Sequence, residues 1–102
     1  MGLLRMGRSK LEIHVDILKA LARHGPLKLT HIMYKANINC AILKPYLDFL
    51  IQQNLVEEQT LKKKRVVYAI TERGRTILKH FREVQSALPL IEGAHKISPL
   101  LY

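Results

Sequence analysis

Four adjacent cations are the residues of this chain best suited to binding an anion. They are Lys62, Lys63, Lys64 and Arg65. They lie between two strand-like runs, residues 55–60 and 66–70, and are therefore expected at the tip of a small hairpin. Lys and Arg side chains neutralise phosphates, so this tip is a candidate for contact with DNA. Charged hairpin tips also occur as solvated loops, but four close cations repel one another unless an anion lies nearby.

The composition favours an anionic partner and a single domain. The 102 residues include 17 Lys and Arg against 8 Asp and Glu, a formal net charge of +9. Nucleic acid is the most abundant intracellular polyanion, although a ribosomal or membrane-surface partner would satisfy the same charge balance. A chain of this length can bury a core without metals or disulfides.

The sequence predicts no metal site, no cofactor and no membrane span. Cys40 is the single cysteine, which excludes an intramolecular disulfide and favours a reducing, cytoplasmic location. We interpret Cys40 as a small core residue, with a redox role as the alternative. The five histidines lack the spacing of metal ligands. No stretch approaches the roughly 18 apolar residues of a membrane span.

The first helix has clear start and stop signals. Ser9 and Glu12 form a capping box that predicts a helix over residues 10–24. Gly25 and Pro26 end it, because glycine permits a left-handed C-terminal residue and proline cannot continue a helix. Its apolar residues span a wide arc, which predicts packing against two neighbours.

Two further helices follow with helix-turn-helix spacing. Thr30 is the expected N-cap of a helix over residues 31–36, and Asn39 the expected N-cap of one over residues 40–53. Pro45 lies in the second turn of the third helix, where it removes a backbone hydrogen bond at a cost of about 3 kcal/mol. We expect this helix to survive with an irregular first turn.

A fourth helix follows the hairpin. Thr71 is its expected N-cap, and Gly74 predicts a close backbone approach to the hairpin. A heptad-like apolar stripe follows, which is typical of a helix that packs against another helix. Its members are Ile77, Phe81, Val84 and Leu88. Pro89 ends the helix, and the apolar segment after it is expected to pack on the domain or on a partner.

These elements predict an α+β winged helix-turn-helix with the order α-α-α-β-β-α, in which the hairpin is a two-stranded wing. The expected divisions are a basic arm over residues 1–8, the winged helix-turn-helix domain over 9–70, a C-terminal dimerisation helix over 71–88 and an apolar tail over 89–102.

Several runs resemble a family of small archaeal winged-helix DNA-binding proteins. The runs are residues 33–39, 43–50 and 54–56, with residues 68–75 resembling that family's junction between the wing and the last helix. The resemblance covers residues 9–88. It implies binding of double-stranded DNA, a chromatin-associated or regulatory role, and homodimers formed through the last helix. Because the apolar stripe is short, we expect a compact dimer.

The third helix carries the expected recognition face. A core stripe at Leu43, Leu47 and Leu50 directs the opposite face outward by 100° steps. That face carries Ala41, Lys44, Pro45, Asp48 and Gln52. Lys44 is the expected phosphate or guanine contact, and Asn39 can reach a phosphate or an adenine. The alternatives are a solvated lysine and a simple cap. Few residues of this face can read base edges, which favours low sequence selectivity.

Supporting DNA contacts are expected near the second helix and at the start of the fourth. The candidates are Lys28, Thr30, His31, Lys35, Arg73 and Arg75. The two arginines can instead pair locally with Glu72. The basic arm either enters a groove or has no role.

No residue pattern in the sequence predicts catalysis. There is no Gly-rich phosphate loop, no nucleophile elbow and no His–carboxylate pair at a characteristic spacing. We therefore expect a binding protein and not an enzyme. The alternative to a DNA-binding protein is a winged helix that binds only other proteins.

Overall fold

Four helices and one antiparallel strand pair make up residues 8–88, the part of the chain that the computed structural model describes. In chain order they are α1 Lys10–His24, α2 Leu29–Ala36, α3 Cys40–Gln52, β1 Val56–Leu61, β2 Arg65–Ile70 and α4 Glu72–Ala87. This order confirms the predicted winged helix-turn-helix. The expected tail over residues 89–102 and all but the last residue of the expected arm lie outside the described residues.

Helix α1 forms as its capping residues predict. The Ser9 amide donates to Oε1 of Glu12 at 2.7 Å, and the Glu12 amide donates to Oγ of Ser9 at 3.1 Å. At the other end Gly25 adopts φ 82° and donates its amide to the Leu21 carbonyl. The buried residues span the predicted wide arc, and α1 packs on α2, α3, β2 and α4.

Arg8 connects the start of the chain to the end of α2. Its guanidinium donates to Oδ2 of Asp16 at 2.9 Å, to the Ala36 carbonyl at 3.1 Å and to the Asn37 carbonyl at 2.8 Å. A cation on the last carbonyls of a helix satisfies groups that have no partner within the helix and complements its dipole. Arg8 is thus engaged within the domain.

The prediction that Thr30 caps α2 is wrong. The helix begins at Leu29, and Lys28 is its N-cap residue without a side-chain capping bond. The reason is tertiary, because Leu27 forms an isolated bridge with Tyr68 through hydrogen bonds of 2.8 and 3.0 Å. The extended segment therefore ends at Lys28, and the helix starts earlier than local capping preferences indicate.

Helix α3 runs without interruption through Pro45. Oδ1 of Asn39 accepts from the Ala41 amide at 2.7 Å, which confirms the predicted cap. The expected irregular first turn is wrong, since the helix begins regularly at Cys40 and the Leu43 amide reaches the Asn39 carbonyl at 2.9 Å. Proline leaves the carbonyl four residues earlier without its partner. Here that residue is Ala41, which is exposed, so water can satisfy the group.

The two strands pair in a single register from Val56 opposite Ile70 to Leu61 opposite Arg65. Tyr68 pairs with Glu58 of β1 and also bridges to the segment before α2. Strand β2 therefore lies between β1 and the segment that precedes α2. The wing is thus attached to the helical part by backbone hydrogen bonds as well as by side-chain packing.

The start of α4 closes the base of the wing. The Thr71 amide donates to the Leu55 carbonyl at 3.0 Å, and its hydroxyl donates to the Asn54 carbonyl at 2.8 Å. The same hydroxyl accepts from the Gly74 amide at 2.9 Å, which confirms the predicted cap. Nε of Arg73 donates to the Gln53 carbonyl at 3.2 Å. Three successive carbonyls that follow α3 are thus satisfied by the first turn of α4.

Leu78 is the residue by which α4 joins the core. It is buried, and Phe81 packs half-buried against the same core. The other members of the predicted stripe, Ile77, Val84 and Leu88, are 41%, 46% and 50% exposed. Within the described residues, no helix has the length and apolar character needed to cross a membrane.

Substituting Gly74 with alanine should destabilise the fold, although glycine to alanine in an open helix stabilises by about 1 kcal/mol. A Cβ here would overlap the Leu55 carbonyl oxygen and lie 2.7 Å from Cγ1 of Ile70. We expect Gly74→Ala to lower the free energy of unfolding by roughly 1–3 kcal/mol in urea denaturation. Ser86→Ala, at an exposed position of the same helix, is the control and should not destabilise. A stabilised Gly74→Ala protein would contradict the close approach.

Candidate nucleic-acid interface

The wing tip, defined as Lys62–Arg65, is a tight exposed turn. The Arg65 amide donates to the Lys62 carbonyl, and Lys63 and Lys64 between them have φ values of 56° and 57°. Positive φ at both central residues is the pattern of a type I′ turn, which favours Asn-Gly. For other L-residues the left-handed region costs about 1–2 kcal/mol each. Two lysines therefore occupy positions for which their backbone preferences are poor.

The wing tip carries positive charge that the described part of the chain does not neutralise. None of its cations lies within ion-pair distance of an acid among residues 8–88. Leu61, which is 48% exposed, lines the same surface concavity as three of the cations. An array of exposed cations without acid partners is suited to binding phosphate groups.

The outward face of α3 forms as the sequence predicts. Leu43, Leu47 and Leu50 are fully buried on the inner side. The five predicted face residues, Ala41, Lys44, Pro45, Asp48 and Gln52, are all exposed. They are thus accessible, although Lys44 is the single cation among them.

Lys44 and Asp48 lie where α3 meets the wing. Burial raises the pKa of Tyr68 in β2, and the neighbouring carboxylate of Glu58 raises it further. The charge of Lys44 lowers the pKa of Tyr68, and the charge of Asp48 raises it. These effects require all three charges to be near the phenol. One edge of α3 therefore adjoins the wing sheet.

Pro45 lies toward the other edge of α3, in a groove shared with α1. The groove has a volume of about 470 Å³ and is lined by Lys10, His14, Pro45, Tyr46 and Phe49. The His14 ring centroid is 4.7 Å from that of Tyr46 and 5.0 Å from that of Phe49. Burial lowers the pKa of His14, and the charge of Lys10 lowers it further. This edge of α3 is aromatic, in contrast to the charged edge beside the wing.

The candidates on α2 are exposed but face different ways. Thr30, His31 and Lys28 lie at the first turn. Lys35 lines a cleft shared with α1, whereas Met33 and Tyr34 line a concavity that includes Asn39 of the turn before α3. The structure therefore does not bring Lys35 to the same groove as the turn that precedes α3.

Asn39 and Arg73 each make an intramolecular bond. The side-chain oxygen of Asn39 caps α3, which leaves its amide nitrogen as a donor. Arg73 donates its Nε–H to the Gln53 carbonyl at the end of α3, which leaves its other guanidinium nitrogens as donors. Among the described residues, neither Arg73 nor Arg75 forms an ion pair with Glu72.

Comparison with known proteins identifies the family. A family model described as winged helix-turn-helix matches residues 7–88. The chain belongs to this winged helix-turn-helix family.

Residues 8–88 contain no group of three or more His, Cys, Asp or Glu side chains arranged to hold a metal ion.

The winged helix-turn-helix chain also matches individual proteins, which confirms the predicted archaeal family. The uncharacterised protein MJ0290 of Methanocaldococcus jannaschii is 32% identical over 77 residues, covering 76% of this chain and 34% of that protein. The chain spans about a third of the length of this curated relative. Sso10a-2, a DNA-binding protein from Sulfolobus solfataricus, is 31% identical with a TM-score of 0.66, and the match covers 93% of this chain and 98% of that one.

A more distant solved structure supports the fold alone. A transcriptional regulator of the MarR family from Silicibacter pomeroyi superposes with a TM-score of 0.70 at 17% identity, covering 99% of this chain and 64% of that one. Similar architecture at such low identity carries no information about the ligand.

Sequence reasoning missed two residues of this winged helix-turn-helix domain and misplaced a third. Tyr34 is 81% exposed beside the α2–α3 turn, where a phenol can donate to a phosphate. Its alternation with buried Ile32 and Ala36 is a signal that could have found it. Arg8 forms its bonds with residues far along the chain, so no local pattern indicates them. The interpretation of Cys40 as a core residue is wrong, because it is exposed.

The stability of the domain should depend on pH through His14. Because folding lowers its pKa below the unfolded value of 6.5, the folded state binds a proton less readily than the unfolded chain. The contribution of the neutral ring is complete above pH 6.5 and is lost as the pH falls through the lower folded value. We expect the free energy of unfolding to fall from about pH 7 to pH 5 more steeply for the parent than for His14→Phe, which keeps the aromatic packing. Equal slopes in chemical denaturation would contradict this.

Proposed function

We propose that this domain binds double-stranded DNA as a transcription regulator or chromatin-associated protein and is not an enzyme. In this arrangement α3 lies in the major groove and the wing contacts the backbone or the minor groove. The match to Sso10a-2, a DNA-binding protein, over nearly the whole of both chains supports the assignment.

The observation that carries the proposal is the wing tip. Two lysines hold left-handed backbone conformations in a turn that favours other residues, and none of the four cations has an acid partner within residues 8–88. Strain of this kind persists where the surrounding structure or a function requires the residues. The phosphates of a DNA groove supply the negative charge that neutralises these cations.

The recognition helix is the less well equipped element. Lys44 is its one cation on the outward face, and the carboxylates of Asp48 and Glu58 act on the same Tyr68 phenol as Lys44 does. Lys44 suits a phosphate or a guanine, Asn39 a phosphate or an adenine, and Asp48 can accept from a cytosine amine. A face with so few donors favours low sequence selectivity, with most of the affinity coming from phosphate contacts.

The additional contacts proposed at the periphery follow the exposure of their side chains. Thr30, His31 and Lys28 can reach the backbone from the first turn of α2. Arg73 and Arg75 extend from the base of the wing. Lys35, which faces α1, is the weakest of the proposed contacts.

We also propose that the protein forms a homodimer through α4. The exposed residues Ile77, Val84 and Leu88 are spaced by seven and four positions and therefore lie on one side of the helix. Half-buried Phe81 continues this side toward the core. An apolar stripe beside a folded core favours burial against an identical stripe.

A protein–protein module is the competing function, and one observation favours it. Ile42 and Phe49 on α3 are 47% and 45% exposed, which is unusual on a helix that enters a polar groove. The two functions differ in their salt dependence, because phosphate binding weakens steeply as salt rises.

A variant of the wing tip separates charge from fold. Lys63→Asn/Lys64→Gly supplies the residues that the turn favours, so the free energy of unfolding should rise by on the order of 1 kcal/mol. It also removes two cations, so the slope of log affinity against log salt should shrink by about 1.8 if both contact phosphates. Anisotropy titration of a labelled duplex at several salt concentrations measures this.

The matched control for the wing variant is Lys79→Ala/Arg82→Ala, which removes the same charge from exposed positions of α4. Its slope should stay close to that of the parent. If the parent binds duplex without salt dependence, or the wing variant binds as well as the parent, the proposed role of the wing is wrong.

Charge placed in the α4 stripe should dissociate the dimer. Ile77→Glu/Val84→Glu buries two carboxylates in the proposed interface, so sedimentation equilibrium should give about 11.8 kDa for the variant and twice that mass for the parent. Thr76→Glu/Ser86→Glu, at exposed polar positions of the same helix, should remain dimeric. A parent that sediments as a monomer would exclude this interface.

A further inference from the structure

We propose that the cleft between α1 and α2 is a second anion site, which binds phosphate groups and shares only Lys35 with the proposed DNA contacts. The cleft has a volume of about 330 Å³. Its floor contains Ala20 and Ala36, which are small and buried. Its walls carry the cationic side chains of Lys19, Arg23 and Lys35.

The charge of this cleft is positive because its one acid is already occupied. Asp16 also lines the cleft, but Arg8 donates to its carboxylate at 2.9 Å and neutralises it. Among residues 8–88, Lys19, Arg23 and Lys35 have no acid within ion-pair distance. Three cations around one concavity repel one another, and a multiply charged anion relieves that repulsion.

The position of the cleft distinguishes it from the recognition surface. None of the residues that line it belongs to α3 or to the wing. On α2, Lys35 faces this cleft while the adjacent Tyr34 lines the concavity beside the α2–α3 turn. The two flanks of α2 therefore face two different concavities, and the cleft is an addition to the proposed function.

The competing explanation is that these cations only complement helix dipoles. Arg23 lies in the last turn of α1 and Lys35 in the last turn of α2, where cations are favourable. Lys19 lies outside the last turn of α1, so this explanation does not account for it. Nor does it account for the convergence of cations from two helices on one concavity.

The ligand class is an oxyanion with clustered negative charge. Arg and Lys donors recognise phosphate oxygens, and the cleft is large enough for a di- or triphosphate group. His24 also lines the cleft, and its ring nitrogens can add a donor to such a group. The same chemistry is present in a free polyphosphate and in the backbone of a nucleic acid, and the experiment below separates these sources.

Titration with inorganic pyrophosphate at low salt tests the site, with amide shifts followed by two-dimensional NMR on the full chain. We expect saturable shifts around Lys19, Arg23 and Lys35. In Lys19→Gln/Lys35→Gln the affinity should fall about tenfold or more. The wing variant Lys63→Asn/Lys64→Gly should keep the parent affinity in the cleft.

Three results would overturn the proposal: shifts confined to the wing, shifts that do not saturate, or equal affinity in Lys19→Gln/Lys35→Gln and the parent. Amide spectra of each variant without ligand show whether it is folded. Should the double variant unfold, Arg23→Gln alone replaces it, with the same expected loss of cleft binding.

A duplex titration of the wing variant identifies the source of the phosphate. Shifts in the cleft that pyrophosphate reverses would assign it to a nucleic-acid backbone, while cleft shifts with pyrophosphate alone would assign it to a free polyphosphate. If the cleft does not bind pyrophosphate, duplex binding by the parent is unaffected. If the parent does not bind duplex, the pyrophosphate shifts in the cleft are unaffected, so the two outcomes are distinguishable.

Discussion

The hydrogen bonds between the end of α3 and the start of α4 fix the arrangement on which every other feature depends. Three successive carbonyls after α3 accept from Thr71 or Arg73, and Gly74 packs against the Leu55 carbonyl. Because the wing leaves and returns at this point, the same bonds set its position relative to α3. The carbonyls at a helix end need partners, and here those partners belong to the next helix.

The energetically unfavourable features of this fold lie on its exposed surface, and the contacts that stabilise it lie in the core beneath. Lys63 and Lys64 hold unfavourable backbone conformations at the wing tip, and Pro45 leaves one backbone acceptor of α3 without its helical partner. Beneath them Leu43 and Leu47 are fully buried in a core to which all four helices contribute. Burial of this kind allows a small domain to retain strained or highly charged residues on its surface.

Helix α1 combines three physical roles. Its inner side supplies much of the core, its N-terminal half carries His14 against the aromatic edge of α3, and its C-terminal half carries Lys19 and Arg23 on the α1–α2 cleft. Arg8 precedes it and connects it to the last carbonyls of α2. A helix that contacts every other helix is thus placed between two surfaces of different chemistry, one aromatic and one cationic.

Local signals in the sequence determined the elements, and tertiary contacts decided where several of them begin and which way their side chains face. The caps at Ser9, Asn39 and Thr71, the hairpin and the winged order could be predicted because each depends on residues close together in the chain. Three other features depend on partners that are distant in sequence. They are the start of α2, the burial of Leu78 while its neighbour Ile77 stays exposed, and the hydrogen bonds of Arg8 to the end of α2. Residue spacing defines the faces of a helix, but only packing against the other elements selects which face is buried.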